Sequence, residues 1–424
     1  MSLYTSLFSG VSGLRNHQVM LDVIGNNIAN VNTIGFKGSR TTFSEMFSQT
    51  RLSAFRPSGE AGGINPQQIG LGASVGSIDV AFNQGTFEAS ASATDLGIAG
   101  SGFFIVRQDG QNFYTRVGNF TFDSQGNMVL PGNGAVLQGK LAKPDGTIPV
   151  DAPLTNLKLS LDRKAPAKMS SFAKLAGNLD SRATNGTIVK GTIQIYDSLG
   201  NQHTIEVKFT KTANNAWDWQ AELPANSTDP LVFVSGDTGT ITFNPDGSLN
   251  QFQYNTGTAL VVDPQNGATA NQAIDLTPGA SGEFSGITQT AGASLLNMRD
   301  QDGYTSGSLL NIAVDKNGKI QGKFSNGTII TLGQIILAEF NNPGGLTKTS
   351  DGLYGTSGNS GEPAYLVAGE GSTSTINGGV LEQSNVDLAE EFTRLIVAQR
   401  GYQSNARIIT TTDEILQETV NLKR

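Results

Sequence analysis

The chain of 424 residues carries 28 Lys+Arg against 36 Asp+Glu, a formal charge of −8, with 52 Gly, two His and no Cys. Without cysteine there can be no disulfide, thiolate nucleophile or Cys-based metal site; two histidines leave little room for a His-based metal site or triad, and the acidic balance argues against nucleic acid, which calls for a basic footprint. Charged residues are only 15%, below the roughly 25% of ordinary globular proteins, and so sparsely charged a surface suits packing against copies of itself, because few charges need desolvating.

At roughly 150 residues per domain the length predicts two or three domains. No stretch approaches the ~20 apolar residues of a membrane span, so no membrane insertion is expected. The N-terminus, Met1 to Gly10, has neither a basic n-region nor a continuous apolar h-region, which excludes a secretory signal peptide and by itself would place the chain in the cytoplasm.

Apolar residues at Leu3, Leu7, Val11, Leu14, Leu21, Ile24, Ile28 and Val31 fall on one helical face, with Leu7, Leu14, Leu21 and Ile28 at every seventh position. Gln18 and Gly25 interrupt the companion row, and Asn26, Asn27, Asn30, Asn32 and Gly35 end the helix. Residues beyond it are rich in Gly, Ser, Thr and Asn and read as an extended connector. Short alternating runs then predict strands, divided by the hairpin signals Lys143-Pro-Asp-Gly-Thr147, Asn244-Pro-Asp-Gly-Ser248 and Asp315-Lys-Asn-Gly-Lys319. Trp217 and Trp219 alternate on one strand and therefore share a face, read as core. Residues 165–290 hold 6 basic and 11 acidic residues, so most of the negative charge lies in this middle region, as suits an exposed inserted domain.

The C-terminal pattern is the strongest. Leu388, Phe392, Leu395, Gln399, Tyr402, Ala406, Ile409, Asp413, Leu416 and Val420 alternate spacings of four and three, a coiled-coil pattern over five heptads. Ser384 with Asp387 offers a capping box, Glu390 and Glu391 acidify the first turn, and Lys423 and Arg424 suit the far end of the dipole. A helix over 386–422 would be about 55 Å long.

The fold expected is mainly β with paired α-helical termini: nested β-sandwich or β-barrel-like domains between N- and C-terminal coiled-coil helices. Residues 1–32 and 385–424 form the helix pair, 33–74 and 366–384 extended connectors, 75–147 with 291–365 an inner β domain, and 148–290 an inserted outer β domain. The stripes Leu7, Val11, Leu14, Leu21, Ile24, Ile28 and Leu388, Phe392, Leu395, Tyr402, Ile409, Leu416, Val420 exceed what either helix can bury alone. They are expected to mediate self-association, because large exposed apolar stripes are a liability for a monomer. The polar positions Gln18, Gln399 and Asp413 within the pattern would specify register.

No catalytic constellation stands out, so neither an enzyme nor a cofactor or metal site is expected. Gly358-Asn-Ser-Gly-Glu-Pro363 resembles a serine-protease loop, but His17 and His203 lack the context of a general base. Gly70-Leu-Gly-Ala-Ser-Val-Gly76 lacks the Gly-Lys-Ser/Thr of a P-loop. Gly97-Ile-Ala-Gly-Ser-Gly102 precedes a strand, where a dinucleotide fingerprint would follow one. Asp123-Ser-Gln-Gly and Asp315-Lys-Asn-Gly lack the ligand ladder of a calcium loop.

Ser12-Gly-Leu14, then Leu21-Asp-Val-Ile-Gly-Asn-Asn-Ile-Ala-Asn-Val-Asn-Thr-Ile-Gly-Phe-Lys37, resembles the N-terminal signature of the bacterial flagellar rod and hook family, on Gly25, Asn26, Asn27, Asn30, Asn32, Thr33, Gly35, Phe36 and Lys37. Glu382-Gln-Ser-Asn-Val-Asp-Leu388 and Gln399-Arg-Gly-Tyr-Gln-Ser-Asn-Ala-Arg407 resemble its C-terminal signature. Gln84-Gly-Thr86 and Gly100-Ser-Gly-Phe-Phe104 are similar to its shared β domain. The inserted domain, with Tyr196-Asp-Ser-Leu-Gly-Asn201 and Asn244 to Leu249, is similar to the hook-forming branch. The resemblance implies a helical homopolymer outside the cell, in the hook and basal body of the flagellum: a curved tube passing torque as a universal joint, with the helices lining its inner wall. The implied partners are the chain itself, the distal rod protein, the hook cap and hook–filament junction proteins, and the flagellar type III export apparatus, which exports without a cleaved signal. A rigid distal rod shaft is the alternative within the family.

Overall fold

The computed structural model describes residues 3–57, 62–160 and 162–421. Helix α1 spans Leu3–Ala29 and helix α2 spans Leu388–Asn421, and between them the described chain is almost wholly strands and turns. It is mostly β with a helix at each end, as the patterning implies. Lys423 and Arg424 lie outside the described residues, as does Leu422.

The chain divides into two compact units. The first comprises residues 1–160, 312–321 and 331–424, the second 161–311 and 322–330. In the first, the strand Phe103–Gln108 pairs antiparallel with Gln111–Thr115, Val136–Leu141 and Ile329–Glu339. Phe103, Phe104, Ile105 and Val106 are all fully buried, which is why this strand reads as a continuous apolar run: both of its faces are covered. Phe103 packs edge-to-face on Phe340 and Tyr354, with ring centroids 5.8 and 6.0 Å away. The short strands Thr375–Gly378 and Val380–Glu382 return along Leu96–Ala99 and Phe87–Ala89.

The second unit contains two sheets around one core. Ile188–Tyr196, Gln202–Ala213, Ala216–Glu222, Thr238–Phe243 and Leu249–Tyr254 form an antiparallel meander. Along Ile188–Tyr196 burial alternates residue by residue, so Ile193 and Ile195 face inward together. The other sheet includes Phe172–Asn178, Leu260–Asp263, Gln272–Thr277 and Leu295–Gln301. Trp217 and Trp219 both enter the shared core, and Trp219 stacks on Phe252 at 4.9 Å.

Three sequence expectations need correction. The second unit starts and ends later than 148–290. Thr155–Asn156 pairs with Val136–Leu141 and so stays with the first unit. Leu295–Gln301 pairs with Phe172–Asn178 and so belongs to the second. The segment 33–74 is no plain connector: Ser39–Glu45 pairs with Ala73–Val80 and Ser48–Leu52 with Gln67–Gly70, giving a two-stranded ribbon. Ser39–Glu45 is half-buried only at Ser39 and Thr41, and Ser48–Leu52 and Gln67–Gly70 are almost wholly exposed, so these strands carry no apolar alternation to read. Segment 366–384 likewise carries the paired strands Thr375–Gly378 and Val380–Glu382. Finally, the cap of α2 is Asp387 alone. Its Oδ1 accepts from the Ala389 and Glu390 amides at 2.8 and 3.2 Å, whereas Ser384 Oγ accepts from the Val386 amide ahead of the helix.

All three hairpin signals close turns: the Lys143, Asn244 and Asp315 amides donate to the carbonyls of Thr147, Ser248 and Lys319 at 2.9–3.0 Å. In the protease-like loop, Ser360 Oγ donates to the Ser357 carbonyl at 2.9 Å, the bond of a turn.

Candidate self-association surface

The two terminal helices run antiparallel. The pairing is visible in their closest approaches: Gly10 lies against Ile409, Gly13 against Asn405, and Gly401 against His17. A Cβ added at Gly13 would sit 2.6 Å from Asn405 Oδ1, and one at Gly401 2.5 Å from the His17 ring. Small residues therefore let the helices close on each other. The seam is polar for a coiled coil, with Glu391, Ala398, Asn405 and Thr412 inward on α2 and Asn16 buried on α1. Asn405 Nδ2 donates back to the Gly401 carbonyl at 2.9 Å.

A small polar seam cannot accommodate the large side chains. Of the expected stripe, Ile24 alone is fully buried. Leu7, Val11, Leu14, Leu21, Ile28, Leu395, Ile409 and Leu416 are half-buried beside the seam. Leu388, Phe392, Tyr402 and Val420 are exposed, Phe392 by 51% and Val420 by 68%. Sequence reading missed a second set of exposed apolar residues: Tyr4, Phe8, Ile396, Val397, Ile408 and Ile415. Their signal was present. Ile396-Val397, Ile408-Ile409 and Ile415-Leu416 are adjacent apolar pairs, and neighbours 100° apart on a helix cannot both face one partner. Gly10-x-x-Gly13 marked the close approach in the same way.

The ribbon that follows α1 packs beside it. The Gly72 backbone approaches Ser9 and Ser12, and Phe43 meets the His17 ring edge-on at 5.8 Å. Phe8, Val11, Met46 and Leu71 line an open groove there, and Phe47 on the ribbon is 85% exposed.

The signature residues occupy the root of α1, with distinct roles. Asn27 is buried; its Nδ2 donates to the Ser39 carbonyl at 2.7 Å and its Oδ1 accepts from the Ser39 amide at 2.9 Å. Asn30 Nδ2 donates to the Asn26 carbonyl and Thr33 Oγ1 to Asn30 Oδ1, closing the last turn. Gly35 has φ +67°, and a Cβ there would fall 2.8 Å from the Arg116 backbone, so only glycine fits both the conformation and the space. Phe36 is buried beneath Lys348, whose Nζ sits 4.1 Å from the ring centroid. Lys37 is fully buried and its Nζ reaches Glu382 Oε1 at 2.7 Å. Gly25, Asn26 and Asn32 are exposed.

No helix among the described residues is long and apolar enough to cross a membrane. The surface is thus an antiparallel helix pair with apolar side chains exposed on both members, rooted in a β unit through ordered polar contacts.

Comparison with known proteins places this architecture. Family models match along the chain: "Flagella basal body rod protein" over residues 7–37, "Flagellar hook protein FlgE/F/G D1 domain" over 97–162, "Flagellar basal body protein FlaE D2 domain" over 161–304 and "Flagellar basal body rod FlgEFG protein C-terminal" over 377–422. These define an axial protein of the flagellum. The flagellar hook protein FlgE of Borreliella burgdorferi is 40% identical, with 99% of each chain covered. That of Treponema pallidum is 36% identical with the same coverage, and that of Escherichia coli is 34% identical over 97% of this chain and 98% of the relative. The chain belongs to the flagellar hook protein family. A crystal structure of Helicobacter pylori flagellar hook protein FlgE2 shares the fold, with a TM-score of 0.52 over 70% of this chain and all of that one, at 14% identity. These full-length matches favour the hook over the distal rod.

Proposed function

We propose that the chain polymerises through its terminal helices into a curved tube outside the cell, and that the tube is the universal joint between rod and filament. The observation that carries this reading is the helix pair itself. Its internal seam is small and polar, while Tyr4, Phe8, Phe392, Ile396, Val397, Ile415 and Val420 remain uncovered. Covering them at roughly 25 cal/mol per Å² stabilises each lattice contact. Contacts between different surfaces of successive copies do not close into a dimer but propagate as a helical filament.

The helices form the inner wall and carry torsional load, while the second β unit, acidic over residues 165–290, slides against its neighbours as the joint turns. The chain has a structural role and no catalytic one. Its other partners are the distal rod protein at one end and the hook cap and junction proteins at the other. It leaves the cell through the flagellar type III apparatus without a cleaved signal. The absence of cysteine suits such a chain, which must refold outside without forming bridges.

A chain lacking residues 1–31 and 386–424 is expected to stay a folded, soluble monomer under conditions where the full chain forms tubes in electron micrographs. Tubes from the truncated chain would refute the assignment of these residues.

A further inference from the structure

Three chain segments meet where both helices leave the β unit. Lys37 lies a few residues beyond α1, Glu382 a few residues before α2, and the stretch Ala81–Gly85 passes between them. Glu382 Oε1 accepts from Lys37 Nζ at 2.7 Å, Gln84 Nε2 at 2.6 Å and the Gly85 amide at 3.0 Å. Its other oxygen faces the Arg116 guanidinium at 3.5 Å. The Glu382 carbonyl accepts from the Gly35 amide at 2.8 Å. Lys37 Nζ also donates to the Asn83 carbonyl at 2.7 Å. Asn385 completes the knot: its Oδ1 accepts from the Gly38 amide, and its Nδ2 donates to the Ala81 and Asn83 carbonyls. The side chains of Lys37 and Glu382 are fully buried and that of Arg116 nearly so.

This is an expensive way to join segments. Two buried cations share one carboxylate, and Arg116 Nε has no hydrogen-bond partner among the described residues. Arg116 is compensated by the Gly100 carbonyl at 2.7 Å and by the Phe103 ring face at 5.0 Å, but desolvation still pushes the Lys37 ammonium below its usual range, with the Glu382 charge opposing. Buried ion pairs often cost more than apolar residues of like volume, and their best-attested use is to fix a unique arrangement. Apolar contacts are non-directional and let segments rotate, whereas a carboxylate holding Lys37, Gln84, Gly85 and Arg116 admits one geometry.

We propose that Lys37, Arg116 and Glu382 form a buried pin that fixes the direction in which both terminal helices leave the first β unit, and so sets the twist at which successive copies stack. They are positioning residues: none is exposed to touch a neighbouring copy. The proposal rests on the polymer reading only for its second half.

Lys37→Met separates the pin from fold stability, because it leaves Glu382 paired with Arg116 and removes the surplus buried cation. In the monomer, the amides of Gly35, Gly38 and Ser39 are expected to exchange with deuterium about tenfold faster or more, while those of Phe103–Gln108 stay within about twofold of the unaltered chain. Tubes of Lys37→Met are expected to show an altered or heterogeneous helical twist at an unchanged urea midpoint. Root amides that exchange at the original rate overturn the pin, and faster root exchange with the original twist overturns its control of stacking. If Lys37→Met yields no tubes, the exchange rates decide alone. Glu382→Gln, which strands two cations, is expected to loosen both roots and to lower the urea midpoint; loosening of neither root counts against the pin. Failure of the unaltered chain to form tubes would bear on the proposed function and leave the exchange test standing.

Discussion

The second β unit and the terminal helix pair handle apolar surface in opposite ways. In the β unit the inward-facing residues of the meander, from Ile193 and Ile195 through Ile205, Val207 and Phe209 to Trp217 and Trp219, are almost completely removed from water. In the helix pair the inward positions are mostly small or polar, among them Gly10, Gly13, Ala398, Gly401 and Asn405, and apart from the buried Ile24 the large apolar side chains lie beside the seam or point outward. A unit that must hold its shape alone buries its bulk internally; one that awaits a partner keeps its internal seam thin and presents its bulk. The same chain thus contains a finished core and an unfinished one. The difference is testable, because a substitution in the first should cost stability and one in the second should cost assembly.

The largest expected effect on the monomer is Trp217→Ala. Trp217 is fully buried and its Nε1 donates to Gln289 Oε1 at 3.2 Å. Removing it forfeits the burial, leaves a cavity and strands the Gln289 oxygen, at a cost of about 3–5 kcal/mol. Trp219 then remains as the sole tryptophan of the chain and reports urea unfolding of this unit directly. A loss below ~1 kcal/mol would mean that this core is not the finished structure described.

Acid should act on the same unit next. Asp197 and Asp302 are each held at about 2, against an ordinary 3.8. Burial alone would raise both. For Asp197 the hydrogen bonds from Asn266, Asn201 and His203 outweigh it; for Asp302 those from Ser171, Lys168 and Phe172 do. A carboxyl whose folded value is depressed stabilises the fold above its unfolded value, and that contribution disappears as pH falls through the folded one. Each should therefore supply about 2 kcal/mol at pH 5 that is lost progressively between about pH 4 and pH 2. Urea titrations by tryptophan fluorescence across that window measure the slope, and Asp197→Asn should flatten it. An unchanged slope in that variant would remove Asp197 from the account.

The contrast also explains what could be read in advance. The helices were legible because burial on one side imposes a 3.6-residue period, and the hairpins because Gly146, Gly247 and Gly318 all take φ near +80°, which few other residues tolerate. The ribbon at 39–80 was not legible: its half-buried positions include Ser39, Thr41, Ala73 and Ser74, small or polar residues that give little contrast with the exposed ones. Neither could the pin be seen. Lys37 and Glu382 are separated by most of the chain, and a charged residue gives no sequence sign that it will be buried. The unit boundary was misplaced because Leu295–Gln301 sends only Leu296 and Met298 into the core of the second unit, too short an apolar alternation to assign its sheet, which its pairing with Phe172–Asn178 declares. In the helices the period could be read, but not which side chains close the seam within one chain: glycine, alanine and asparagine occupy it, and most of the stripe residues lie beside or outside it.

That orientation yields the prediction with the smallest effect on the monomer and the sharpest test of the contrast. Phe392 is half exposed on α2. Phe392→Asp removes no internal packing of consequence, and it adds a negative charge near the N-terminus of α2, where the helix dipole favours one. Its effect on monomer stability should lie within about 0.5 kcal/mol, and helix content by circular dichroism should not change. Assembly should nevertheless fail, because the aspartate would have to be buried, unpaired, at every lattice contact. Leu395→Asp is the less discriminating variant: Leu395 is already half-buried beside the seam, so loss of assembly there would mix with a loosened helix pair. If the Phe392→Asp monomer were destabilised as much as it failed to assemble, the exposed row would belong to the fold of the single chain, and the separation between finished and unfinished cores would collapse.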